Sequence, residues 1–229
     1  MVSEEILITQ IVTVALSIVA LIVSLKLLSN YKKTEVSTAL LLSIYSFFIF
    51  LTYLFAFLLR FPSSEVNLAE KSMIVPLVVF VSLGFQAFFA LLFVVDMFRP
   101  FKQKWIAVPI ALILVYFISI AFGPPIKVLT SPGVYEWISS AILNKTSVIP
   151  VLMAYTPVGF LAFYSIKMPR KEDKAKGLLL LVGFFMIATF SNFFDHYGIV
   201  PPILPVRRIL IAVGIMILYW AFVRYKWIR

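Results

Sequence analysis

The chain of 229 residues contains no cysteine and a single histidine. Without thiols it can form no disulfide, no cysteine nucleophile and no cysteine-bound metal centre. One imidazole, His196, is too little for a zinc or haem site. Charge is scarce as well: 13% of the residues are Asp, Glu, Lys or Arg, about half the roughly 25% of an ordinary soluble domain. So few charges could not cover a soluble surface, and the mean hydropathy of +1.06 agrees. The composition is that of an integral membrane protein, with no cofactor implied.

What the chain has in abundance is apolar sequence with very few charges. Runs of about 18 residues or more, long enough for roughly 30 Å of hydrocarbon, occupy 6–28, 36–59, 73–97, 105–122, 148–166, 177–195 and 203–223. In lipid each backbone N–H and C=O must find its partner within the segment, so the runs are predicted to be helices. The expected fold is an all-α integral membrane protein, a single seven-transmembrane helix bundle over residues 1–229.

The charged residues supply a direction. Sorted alternately, the connections on one side hold fourteen of the 20 Lys and Arg and four of the 10 acids, among them the run from Lys167 to Lys176. The other side holds the remaining six of each sign. The whole net charge of +10 therefore sits on one face, which the positive-inside rule makes cytoplasmic. The amino terminus is expected outside, the carboxyl terminus in the cytoplasm, and the protein in a prokaryotic cytoplasmic membrane as a multi-pass chain. The basic excess then reads as topology and contact with the lipid bilayer, and no nucleic acid is implied. The opening "MVSEE" is acidic where a signal peptide is basic, so the first helix is expected to be retained. Trp105, Trp220 and Trp227 fall near the cytoplasmic interface and Trp137 in the external connection.

The only long connection, Gly123 to Ser147, is predicted to hold a short helix around "VYEWISSAIL" and carries a glycosylation sequon at Asn144. Pro76, Pro109 and Pro150 lie near helix starts, where proline is tolerated. Pro157 is interior and should kink its helix, freeing a carbonyl near Tyr155 and Thr156 and opening space in the bundle. The 23 phenylalanines read as packing rather than an aromatic ligand cage. Asp96 and Arg99, at i and i+3, read as a helix-end pair.

Polar side chains at membrane depth either fasten helices or line a site. Gln86 in span three qualifies for both roles, as do Ser191, Asn192 and Asp195 at the end of span six. The densest cluster is the external turn "FFDHYGIVPPILPVRR", residues 193 to 208, with Asp195, His196, Arg207 and Arg208. The uncharged stretch after Arg208 covers only about 22 Å at 1.5 Å per residue, so the last helix must begin near Ile203. That submerges both arginines about one turn below the outer boundary. Since neighbours on a helix diverge by about 100°, one arginine is expected to snorkel to headgroups and the other to turn inward to Asp195. The group is an ion pair fastening a hairpin or a mouth for an anion or for pH sensing. Candidate ligand-binding residues are thus Asp195, His196, Arg207, Arg208, Asn192, Gln86 and Tyr155.

Catalysis is not expected: the spans hold no carboxylate pair, no HExxH and no serine with a histidine at motif spacing. A retinal protein would need a lysine deep in the last helix, and "ILIAVGIMILYWAFV" has none. Lys167 to Arg229 presents a basic loop, an apolar helix, the turn "GIVPPILPV" and a helix ending "FVRYKWIR". This order resembles the amino-terminal seven-helix sensing module of histidine-kinase-type receptors, here without an output domain. The resemblance implies a receptor-like protein that takes a small ligand or anion from outside and signals through a separate cytoplasmic or membrane protein partner at its basic face. A small-solute transporter or channel, and a structural subunit of a membrane complex, are the alternatives.

Overall fold

The computed structural model describes residues 4–59, 74–97, 106–131, 134–138, 140–168, 170–193 and 204–224. Helices α1 (Glu4–Thr34), α2 (Ser37–Leu59), α3 (Ile74–Met97) and α4 (Ala107–Phe122) come first. A hairpin of β1 (Ile126–Ser131) and β2 (Val134–Ile138) and the short α5 (Ala141–Thr146) follow. Then come α6 (Val148–Lys167), α7 (Lys171–Ile187), which runs on as a π-helical segment over Ala188–Phe193, and α8 (Leu204–Arg224). Six of these helices are long and apolar enough to cross a membrane, and α4, at 16 residues, is shorter. At 1.5 Å per residue α4 reaches about 24 Å. The protein is a multi-pass helical membrane bundle.

Helix starts follow local chemistry. Pro76, Pro109 and Pro150 are each the third residue of their helix, and Pro205 is the second of α8, where the missing N–H would have no intrahelical partner anyway. Helix α1 runs to Thr34, beyond the expected 28, which carries Lys32 and Lys33 into its last turn. The chain then reverses through Glu35 in the left-handed region, φ 54°. At the far end of the bundle the connection expected to be helical over "VYEWISSAIL" divides. "VYEWI" is the strand β2, paired antiparallel with β1, and the helix begins only at Ala141. Val, Tyr, Trp and Ile are strand-favouring residues, and Ser140 starts the helix by capping α5, its Oγ accepting from the Leu143 amide at 3.2 Å. The helical bundle is therefore accompanied by one small hairpin in this connection.

Neighbouring helices close a ring: α1 packs on α2, α2 on α3, α3 on α6, α6 on α7, α7 on α8, and α8 on α1. The short α4 lies outside it, against α3 and α6. The α7–α8 contact is close because both sides lack a side chain. A Cβ on Gly183 would come within 3.0 Å of the Gly214 carbonyl, and one on Gly214 within 3.1 Å of the Gly183 carbonyl. Phenylalanines knit the ring: Phe48 stacks on Phe85 at 4.7 Å, and Phe85 meets Phe117 edge-on at 4.9 Å. Because α1 begins at one end of the bundle and antiparallel α2 returns to it, that end is here named amino-terminal. The opposite end, with Lys167 and Lys171, is named basic.

Candidate functional site

Three helices meet at one side chain. Gln86, wholly buried midway along α3, donates through Nε2 to the Thr52 hydroxyl of α2 at 2.5 Å and to the Phe48 carbonyl at 3.4 Å. Its Oε1 accepts from Ser191 Oγ of the π-helical segment at 3.2 Å. Thr52 completes the set by donating to Phe48 O at 2.8 Å. An amide offers two donors and a carbonyl oxygen with two lone pairs, and this geometry engages both donors and one lone pair across α2, α3 and the end of α7. Asn192, next to Ser191, is equally buried. The π-helical segment that carries both has wider turns than an α-helix, a form rare enough to be concentrated at functional sites.

Seven residues toward the basic end on each of these helices lies an aromatic ring: Tyr45 below Thr52, Phe93 below Gln86, and Phe184 below Ser191. The rings contact one another, Tyr45 to Phe184 at 5.6 Å and Phe93 to Phe184 at 5.2 Å between centroids, and all three are buried. Two helical turns, about 10 Å, thus separate a hydrogen-bonded layer from an aromatic one. On α1, Thr9, Thr13 and Ser17 are buried at a spacing of four, with Gln10 beside them. Thr13 and Ser17 donate back to the carbonyls of Thr9 and Thr13 at 2.6 and 3.0 Å.

Helix α8 contributes the charges. Arg207 and Arg208, its fourth and fifth residues, are 5% and 4% exposed. The expected snorkelling of one arginine is corrected here: both are inside. Val206 and Ile209 occupy the lipid-facing side of α8, so at about 100° per residue the two positions between them straddle the inward direction. The guanidinium of Arg208 lies over the ring of fully buried Tyr53, Cζ 4.2 Å from its centroid. A planar, weakly hydrated cation on an aromatic face is a recurrent way to keep an arginine inside.

Of the other expected residues, Tyr155 shares a hydrogen bond of 2.8 Å with Thr189 and packs edge-on against Phe185. It joins α6 to the π-helical segment. Asp195 and His196 lie outside the described residues, as does Arg99. Asp96 accepts from Ser37 Oγ at the first turn of α2, with both carboxylate oxygens at 2.9 and 2.7 Å; its expected pairing with Arg99 falls outside the described residues. Sequence reasoning passed over Thr52, Tyr53 and the α1 hydroxyls. The fourfold spacing of Thr9, Thr13 and Ser17 was the available signal for one polar face.

No family model matches this chain, and no curated protein or solved structure is significantly similar to it.

Proposed function

We propose that the protein is a receptor-like membrane component. On this reading it holds a small ligand among Thr52, Gln86, Asn192, Arg207 and Arg208 and passes the signal to a separate partner at its basic face. The carrying observation is the junction of buried Thr52, Gln86 and Ser191 from α2, α3 and the π-helical segment, with Arg208 of α8 on the adjoining Tyr53 and Arg207 buried next to it in sequence. Guanidinium groups favour carboxylates and phosphates through paired N–H donors, so an anionic ligand suits the site. The amino-terminal end faces outward on this reading and the basic end faces the cytoplasm, in a prokaryotic cytoplasmic membrane, following the charge distribution.

The aromatic layer favours a receptor over a transporter or channel. Tyr45, Phe93 and Phe184 pack ring against ring below the polar layer, which puts packed rings rather than an open polar lining between α2, α3 and α7 at that depth. Between α1 and α2, Ser24 and Ser43 donate to each other's carbonyls at 2.9 and 2.8 Å, so these hydroxyls fasten helices.

Affinity capture of the tagged chain from its native membrane, followed by mass spectrometry, tests the reading. One signalling protein recovered constantly, and lost when Lys171 and Lys174 are changed to glutamine, is the expected result. A solitary chain that drives solute flux in liposomes would overturn it.

A further inference from the structure

We infer that α6 carries a binding site for one anionic phospholipid at the basic end of the bundle, independent of the polar layer. The outward face of α6 is notched. Thr156, Gly159, Phe160 and Phe163 line a groove of about 360 Å³, and a Cβ placed on Gly159 would meet nothing within 4 Å. The Thr156 hydroxyl donates to its own helix, to Leu152 O at 2.8 Å, so the wall makes no demand for a hydrogen-bonding occupant. A hydrocarbon chain fits these walls.

The end of the groove supplies the charge. Phe163 forms its last wall, and the Lys167 ammonium sits 4.0 Å from the centre of that ring. Lys167 is thereby held at the mouth of the groove. Immediately beyond it Arg170, Lys171 and Lys174 are all exposed, and with Lys167 these cations outnumber the interleaved Glu172 and Asp173. From Gly159 to Lys167 is eight residues, about 12 Å along the helix, the separation between the upper acyl chain and the headgroup of one lipid molecule. An apolar groove that ends in a clustered positive charge selects an anionic lipid over a zwitterionic one, because each Lys or Arg at the surface adds attraction to the former. Another transmembrane helix would gain the groove but leave the cations at its end unanswered.

Native mass spectrometry of the full chain in detergent, with phosphatidylglycerol and phosphatidylcholine of identical acyl chains in equal amounts, tests the site. The wild type is expected to retain one phosphatidylglycerol preferentially. Lys167→Gln, at an exposed position, should lower that preference about fivefold, and Gly159→Leu should fill the groove and release the lipid. Lys145→Gln, exposed at the opposite end, should change nothing. Equal retention of the two lipids, or unaltered retention in both Lys167→Gln and Gly159→Leu, would overturn the site. So would a wild-type dimer that Gly159→Leu converts to monomer, since the occupant would then be a second copy.

Discussion

Arg208 lies across the face of Tyr53, its guanidinium carbon 4.2 Å from the ring centre, with both side chains buried. The pair links the amino-terminal part of α8 to α2 beside the Gln86 layer. It sets the depth at which positive charge enters the bundle, and the first prediction follows from it.

Tyr53→Leu removes the ring beneath the cation. A desolvated cation–π contact is worth about 2 kcal/mol or more, so thermal unfolding in detergent should show a loss of at least that size. Tyr53→Phe keeps the ring and should lose no more than one ordinary hydrogen bond, roughly 1 kcal/mol. Equal losses in the two variants would show that the ring face is not what holds Arg208.

Gln86 and Ser191 should be energetically coupled. Interhelical hydrogen bonds in membranes average about 0.6 kcal/mol in double-mutant cycles. The cycle built from Gln86→Leu and Ser191→Ala, read by reversible unfolding in mixed micelles, should return a coupling of that order. A value indistinguishable from zero would mean that the 3.2 Å contact contributes nothing to joining α3 to the end of α7.

The two glycines at the α7–α8 crossing should be intolerant, and the glycine of α6 tolerant. Gly183→Leu forces atoms into Leu218, whose Cδ2 already stands 2.6 Å from where a Cβ would be. Overpacking of this kind costs about 1–3 kcal/mol. Gly159→Ala meets open space and gains helix propensity of up to about 1 kcal/mol. Melting temperatures of the two variants should therefore move in opposite directions.

Orientation can be read with thiol chemistry on a background that has no cysteine. Asn144 on α5 and Lys174 on α7 are exposed at opposite ends of the bundle. A membrane-impermeant maleimide should label Asn144→Cys in intact cells and Lys174→Cys only after permeabilisation. The reverse pattern would place the basic face outside.

The existence and approximate limits of the membrane helices were legible in the chain, because hydrocarbon leaves a backbone no alternative and charge marks where it ends. That the last helix begins ahead of Arg207 and Arg208 was legible too, since the apolar stretch after them is too short to span. The direction of their side chains was not. Inward or outward is set by which face of α8 meets lipid, and that depends on where α7 and α1 lie. Likewise "VYEWI" carries strand-forming residues beside a helix-forming run, and where one gives way to the other is decided by the Ser140 cap.

Composition and hydropathy by themselves determined a cysteine-free, multi-pass helical membrane protein. These are properties of single segments in a solvent and need no knowledge of neighbours. Only the tertiary structure decided that six helices close a ring with α4 outside it. It alone stacked Thr52, Gln86 and Ser191 in one layer above Tyr45, Phe93 and Phe184, and turned both arginines inward. Between helices in lipid there is no hydrophobic drive to set the order. Partners are chosen by close contacts such as Gly183 on Gly214 and by single hydrogen bonds, between residues that can lie more than a hundred positions apart, as Gln86 and Ser191 do.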